Sequence, residues 1–382
     1  MRRRLKIGIA CYPTFGGSGI VATNLGTELA KLGHQAHFFA YQRPFRLNLQ
    51  QENIFFHHVP VYEYDLFKYP DYTLPLAVKM CQVHEEHGLD VLHVHYAVPH
   101  ATAAVLADDM LRVNGVKPPG VVTTLHGTDI TLVGKDPALL PVIRYSMERS
   151  NGVTAVSRYL KKETERIFQP TRPVDVLYNF YTPHKPSRSR SAVRQELGVA
   201  DGDVLAIHAS NLRPVKRIPD LLHTVGRIRS PRFKLLILSG SDFAPFQKLV
   251  RRLGIRRRVI VKEKVLDIDT YLNASDLGVY TSEDETFGMG ILESMSHGLA
   301  VVASRVGGVP EVVEDGISGI LCPVGKIEAF VEAVNRLIQD PALRTTMGQA
   351  ARIRASSNFS TETGVQQYVR YYHRVLGWRA AR

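Results

Sequence analysis

The chain has 382 residues, an ordinary apolar share of 45% and a formal net charge of +12. That length exceeds one hydrophobic core and suits two domains. The charge draws anionic partners, but no RNP-type motif, zinc-finger spacing or basic-helix heptad points to nucleic acid. The three cysteines, Cys11, Cys81 and Cys322, are scattered, which argues against a disulfide framework and fits a reducing cytoplasm. The apolar run Ile7 to Cys11 after a basic start is too short for a signal peptide. No run approaches the ~18 apolar residues of a membrane span.

Lys6 to Cys11 reads as a buried strand. Tyr12 to Gly19 reads as a Gly-rich loop, and Ile20 to Leu32 as a helix closed by Gly33. Strand, Gly-rich loop and helix form an anion cradle, although neither GK[ST] nor G-x-G-x-x-G is present, so a plain tight turn competes with that reading. Gln35 to Tyr41 is a second strand. Val59 to Tyr72 is aromatic and loop-like, and Val78 to His87 is helical. Its His84-Glu-Glu-His87 is not H-E-x-x-H and reads as a polar helix face. Val91 to His95 is a strand with His93 and His95 on one face. No third metal ligand is apparent there, so the pair reads as packing. Tyr96 follows at the strand end, where open α/β sheets bind ligands.

Val121 to Leu125 is another strand, followed by His126-Gly127-Thr128-Asp129. A histidine just past a strand end can donate to a substrate hydroxyl or act on a proton; it can also simply cap a loop carbonyl. Helix Leu139 to Arg149 offers Arg144 and Arg149 to an anion or to solvent. Strand Gly152 to Val156, helix Tyr159 to Phe168 and strand Val174 to Leu177 complete this half. Residues 182–191, rich in Pro, Ser and basic side chains, read as a linker.

A second β-α-β series begins at strand Val204 to Ala209. The loop Asn211 to Arg217 leads into helix Ile218 to Arg229, and its Arg213 and Lys216 can neutralise a diphosphate without a metal. Strand Phe233 to Ser239, helix Phe246 to Leu253 and strand Val259 to Lys262 follow. Arg256-Arg257-Arg258 reads as a solvated face. Asp267-Ile-Asp269 reads as a helix N-cap with a first-turn acid rather than a metal-binding D-x-D. Helices are predicted at Ile327 to Ile338, Pro341 to Ser356 and Thr361 to Leu376.

Between them lies the stretch on which the rest depends, Tyr280 to Gly319. Thr286-Phe287-Gly288-Met289-Gly290 precedes a helix whose Ile291, Leu292 and Met295 recur at helical spacing. Glycines let backbone approach a ligand, and the N–H groups of a helix start favour anions and hydroxyl oxygens. Glu285 and Glu293 flank that start. One can hold sugar hydroxyls and the other a ribose diol, whereas singly each reads as an ordinary helix charge.

This stretch, with Gly298 to Ala303 and Gly307-Gly-Val-Pro-Glu311, resembles the donor-binding motif of the retaining glycosyltransferases of family 4. The resemblance covers nearly the whole chain. It is carried also by Cys11 to Thr23, His93 to Ala101, Thr124 to Gly134 and His208 to Arg217. It implies an α/β fold of two Rossmann-like domains facing each other across a cleft (GT-B). The expected boundaries are 1–181 for the acceptor domain, 182–191 for the linker and 192–358 for the nucleotide-sugar domain. A C-terminal helix, 359–382, is expected to cross back to the first domain.

The resemblance further implies transfer of GlcNAc from UDP-GlcNAc to the hydroxyl of L-malate, the first step of bacillithiol biosynthesis, in the cytoplasm and without a metal or other cofactor. The catalytic candidates are His126, Arg213, Lys216 and Glu285. The nucleotide sugar is assigned to Gly16, Gly17, Asn211, Arg213, Lys216, Glu285, Thr286, Phe287, Gly288 and Glu293. Malate is assigned to Ser18, Tyr96, Thr128 and Arg144, with help from the Gly16 and Gly17 amides. Retention by double displacement needs a carboxylate nucleophile close under the sugar, and spacing marks none. Front-face attack is the alternative, with the departing diphosphate taking the acceptor's proton. A lipid or sugar acceptor and a non-catalytic nucleotide-sugar binder remain alternatives, and a homo-oligomer stays open. No nucleic acid and no stable membrane association are expected, and a dehydrogenase lacks its dinucleotide fingerprint.

Overall fold

Two parallel sheets carry the chain, one of seven strands and one of six. The computed structural model describes residues 3–13, 17–61, 71–132, 134 and 136–380. The chain divides into two units. Unit 1 is Met1–Tyr178 with Glu362–Arg382, and unit 2 is Asn179–Thr361.

Unit 1 runs β1 (Lys6–Ala10), α1 (Gly17–Lys31), β2 (Gln35–Ala40), β3 (Ile54–His58), α2 (Thr73–His87), β4 (Val91–His95), α3 (Thr102–Val113), β5 (Gly120–Leu125), α4 (Leu140–Arg149), β6 (Gly152–Ala155), α5 (Arg158–Phe168) and β7 (Val174–Val176). Its strands are nearly all buried and apolar, as parallel strands covered by helices on both faces must be. The sequence pattern marks neither β3 nor α3. β3 pairs with β2 at the sheet edge, and its face alternates phenylalanine with histidine.

Unit 2 runs α6 (Arg190–Glu196), β8 (Val204–Ser210), α7 (Ile218–Arg227), β9 (Phe233–Ser239), α8 (Gln247–Arg252), β10 (Val259–Glu263), α9 (Ile268–Ala274), β11 (Leu277–Tyr280), α10 (Met289–Ser296), β12 (Ala300–Ser304), α11 (Val309–Val312), β13 (Gly319–Cys322), α12 (Ile327–Gln339) and α13 (Pro341–Asn358). Alternate residues of one strand feed two cores: Ala206 packs with Leu235 and Ile237 on one face, and Leu205 and Ile207 with Leu236 on the other.

Strand order locates the ligand-binding ends. In unit 1 it is β3-β2-β1-β4-β5-β6-β7, and in unit 2 β10-β9-β8-β11-β12-β13. The winding reverses between β1 and β4, and again between β8 and β11. At such a switch point neighbouring loops leave the sheet in opposite directions and open a crevice at the strands' carboxyl ends. The loops after β1 and β4 flank the first. Those after β8 and β11 flank the second.

The last helix, α14 (Thr361–Ala380), belongs to unit 1. Tyr368, Tyr372 and Val375 are buried on it, and the Tyr372 hydroxyl bonds the His93 Nδ1 at 2.7 Å. His93 also bonds the Thr124 hydroxyl through Nε2, so its ring is held from both sides as a packing group. A Cβ on Gly152 would stand 2.6 Å from the Tyr371 hydroxyl, so a glycine there lets the helix settle on the sheet.

Residues 182–191 are tied to unit 2. The His184 amide donates to Asp269, the Ser187 amide donates to Thr270 Oγ1, and Ser189 caps α6. Asp267 caps α9, accepting from the Thr270 amide at 3.1 Å. Asp269 is buried and also accepts from the Tyr181 hydroxyl at 2.6 Å and bonds His297 Nε2 at 2.8 Å. Burial would push its carboxyl up, but the bonds from His184, His297 and Tyr181 prevail and hold it far below the carboxylate range. Both acids of the D-x-D are occupied in joining this segment to the domain.

Candidate active site

In unit 2 the site grows from the switch point. After β8 the chain turns through Asn211, Leu212 and Arg213 into a single tight helical turn, Pro214–Lys216, and Arg217 adopts φ 50° before α7 begins. The loop after β11 is fastened to this one. The Glu283 amide donates to the Val215 carbonyl at 2.8 Å, and the Thr281 hydroxyl donates to the Lys216 carbonyl at 3.0 Å. Arg217 pairs with Asp220 at 2.6 Å and with Glu283 at 2.9 Å. These bonds bring together two residues 69 positions apart: Lys216 Nζ lies 2.5 Å from Glu285 Oε2, with side chains 18% and 16% exposed. Arg213 stands exposed at the start of the same turn, and Asn211 is half-buried.

Gly288 caps α10 at φ 97°, a conformation that disfavours any side chain. A Cβ on Gly290 would come within 2.5 Å of the Ala209 carbonyl oxygen, so the start of α10 lies directly against the end of β8. The Tyr280 hydroxyl donates to the Gly290 carbonyl at 2.6 Å and bonds Ser294 Oγ at 2.7 Å, locking the first turn. Burial raises the Tyr280 hydroxyl, and the charges of Glu293 and Glu285 raise it further, so both carboxylates lie near this one phenol. Glu293 is buried in α10. Phe287 is buried too, its ring edge-on to Phe359, so it can serve a ligand only through its backbone. Thr286 is half-buried. Beneath the pair, His208 bonds the Val279 carbonyl and Ser210 Oγ, and burial pushes it down to about 4, leaving it neutral.

In unit 1 the candidates collect at the ends of β4 and β5. Tyr96 takes φ 87°, and its ring centroid lies 5.4 Å from that of His126. His126 Nε2 lies 2.8 Å from His95 Nδ1. The His126 ring is half-buried, and burial pushes it down to about 3, with a lesser push from His100. It is therefore a neutral imidazole, able to donate or accept a hydrogen bond but not to act as a cationic acid. Asp129 organises the loop. Its buried carboxylate accepts from the Ala97 amide at 3.1 Å, the His126 amide at 3.3 Å and the Gly127 amide at 2.9 Å. Burial lifts it to about 6, and these amide bonds restrain the rise. Sequence reasoning assigned Asp129 no part. Its signal was the short spacing to Gly127, which suits a side chain turning back onto its own loop.

Thr128 opens a short helical turn and is half-buried. Gly17 is the exposed first residue of α1, and Ser18 is half-buried beside it. Gly16 lies outside the described residues. Arg144 is exposed on α4, whereas Arg149 is bound to Asp109. The structure therefore joins Lys216 to Glu285, sets Glu293 near them, and joins Tyr96 to His126.

Comparison with known proteins agrees with this architecture. Residues 15–185 match Glycosyltransferase Family 4, and residues 189–354 match Glycosyl transferases group 1. With a close relative spanning the full chain, these matches place the protein in the family of glycosyltransferases with two parallel-sheet domains. That relative is the N-acetyl-alpha-D-glucosaminyl L-malate synthase of Bacillus anthracis, 42% identical over 376 residues and covered over 98% of each chain. Among solved structures, Anabaena HepE in complex with UDP and glucose superposes with a TM-score of 0.82 at 23% identity, covering 96% of this chain and 99% of its own. A sucrose-phosphate synthase from Thermosynechococcus elongatus superposes at 0.79 and 19% identity, covering 98% of this chain and 100% of its own. At these identities the likeness bears on the fold alone.

Proposed function

We propose that the protein is a retaining transferase that moves GlcNAc from UDP-GlcNAc to the hydroxyl of L-malate in bacillithiol biosynthesis. The observation that carries this reading is the 42% identity to the malate synthase, which runs through both units. In unit 2, Arg213 and Lys216 neutralise the diphosphate, and Lys216 exchanges Glu285 for phosphate oxygens when the donor binds. Freed from the lysine, Glu285 accepts from sugar hydroxyls, while the amides of Thr286, Phe287 and Gly288 donate to sugar oxygens. Glu293 takes the ribose diol. In unit 1, Ser18, Tyr96, Thr128 and Arg144 hold the malate dianion, and neutral His126 hydrogen-bonds a hydroxyl without giving up a proton.

The acceptor's proton passes to the departing diphosphate in front-face attack, so catalysis comes from positioning and from charge stabilisation at the leaving group. Two basic side chains supply that stabilisation, and transfer needs no metal. We place the reaction in the cytoplasm. Among the described residues no helix is long and apolar enough to cross a membrane, and the three cysteines are free and buried.

The test is UDP release from UDP-GlcNAc with and without L-malate, in EDTA-treated buffer, with the anomeric configuration of the product read by NMR. Malate-dependent release and an α-linked product are expected. Donor binding without malate-dependent release would discard the acceptor. An inverted product would discard the mechanism.

A further inference from the structure

β2 and β3 put a second cluster of chemistry at the edge of the unit 1 sheet, away from the switch point. Their register pairs His37 with Phe55 and Phe39 with His57, so these four side chains share one face. α2 packs nearby and ends at His87. The first residue of β1, Lys6, donates from Nζ to the His87 carbonyl at 2.7 Å. That contact places the end of α2 beside the start of β1, and the cluster lies toward the β3 edge of the sheet, apart from the ends of β4 and β5 that carry Tyr96 and His126.

One ring nitrogen from each of His37, His57 and His87 lies within 4.8 Å of the other two, and among the described residues no other group of three such donors gathers. His37 Nδ1 and His57 Nε2 are 3.0 Å apart, with the rings within 6° of parallel. Two lone pairs at that distance need something between them, a proton or a metal ion. His37 is fully buried, so an ion on its Nδ1 is withdrawn from water on that side. His57 and His87 are half-buried, which leaves a route in from solvent.

We propose that His37, His57 and His87 form a binding site for a divalent transition-metal ion of the zinc class, which fastens the edge strand β3 to the end of α2. Three imidazoles with an open fourth position suit such an ion. Lys6 and Lys79 carry positive charge near the rings and repel a cation. Glu86, whose carboxylate is 3.5 Å from His87 Nε2, supplies a compensating negative charge. The site is structural and takes no part in glycosyl transfer.

The experiment is calorimetric titration of zinc into chelator-treated, tag-free full-length protein, beside His57→Ala and His87→Ala, with thermal melting of each. His37 is spared because it is fully buried. Expected are one zinc per chain at micromolar or tighter affinity, a melting temperature raised by several degrees with zinc, and at least a tenfold loss of affinity in each variant. Absence of saturable binding to the wild type, or binding that both variants retain unchanged, would overturn the site. Neither result bears on malate-dependent UDP release, which is measured separately in EDTA.

Discussion

Lys216→Ala separates two tasks that the Lys216–Glu285 pair performs. The charges lie 2.5 Å apart with side chains 18% and 16% exposed. At an effective dielectric of about 20, unit charges about 3 Å apart attract by roughly 5 kcal/mol. Much of this is offset by taking both groups out of water, and their remaining exposure reduces it again. A net cost of about 2 kcal/mol for stranding Glu285 is reasonable, below the ~3–5 kcal/mol of a fully buried pair. For a unit of this size that is a fall in Tm of about 4–8 °C. Turnover should fall ~100-fold, about 2.7 kcal/mol, the scale of a lost donor at a developing negative charge. The control is Lys216→Ala with Glu285→Gln, which removes the stranded charge: Tm should recover most of its loss, while UDP release stays low. Scanning fluorimetry and a UDP-release assay read the two effects. Near-normal turnover in Lys216→Ala would refute the diphosphate role. A double variant no more stable than Lys216→Ala would refute the stranded-charge account.

Arg144→Ala should raise the malate KM more than the UDP-GlcNAc KM, and equal changes would remove Arg144 from the acceptor site. Gly290→Ala forces a Cβ to 2.5 Å from the Ala209 carbonyl, so α10 must move off β8. A loss of about 1–3 kcal/mol in denaturant melts and a weaker donor KM are expected, and unchanged values for both would refute the close approach. Because burial holds His126 near 3, the rate profile should show no ionisation of this residue around pH 6.5. If a limb there vanishes in His126→Asn, the neutral assignment is wrong. The same shift makes stability depend on acid. The folded value lies below the unfolded one, so unfolding takes up a proton as pH drops below about 6.5, and stability falls from there toward 3. His93, lowered to about 3, and His100, lowered to about 4, by burial behave alike, and each such proton adds about 1.4 kcal/mol per pH unit to the slope. Urea melts of the full chain between pH 7 and 5 check this, and a flat profile would contradict it.

Much of this could be read from residue order because local pattern and global fold agree. Runs such as the IGIA of β1 and the AVVA of β12 are apolar throughout, as a doubly covered parallel strand requires. Thr286 to Gly290 reads as a helix start because its glycines have no other use in an element interior. Other features were not legible. β3 carries the sequence IFFHH, whose histidines disguise a sheet face, and β13 has only four residues. α3 follows an irregular turn at Ala97–Ala101 and is rich in alanine, so its buried face is built of small side chains that give little periodic signal. The remaining gaps are matters of distance along the chain. Nothing near His93 announces that its partner is Tyr372, 279 residues on, and the 69 residues between Lys216 and Glu285 close only through the switch point of the sheet.

The ownership of α14 has a consequence for how the protein is made. The strands of unit 1 have all been synthesised by Tyr178, yet the helix that covers Gly120, Gly152 and His93 is encoded after Thr361. At about 5–20 residues per second, the nascent sheet waits roughly 10–40 s with an apolar face uncovered while all of Asn179–Thr361 is translated. Unit 2 is contiguous and can close as soon as it emerges, so the part begun first is the part completed last. During that interval the growing chain exposes a surface on which chaperones can act, and a ribosome that stops short of Tyr372 releases a first domain without its lid.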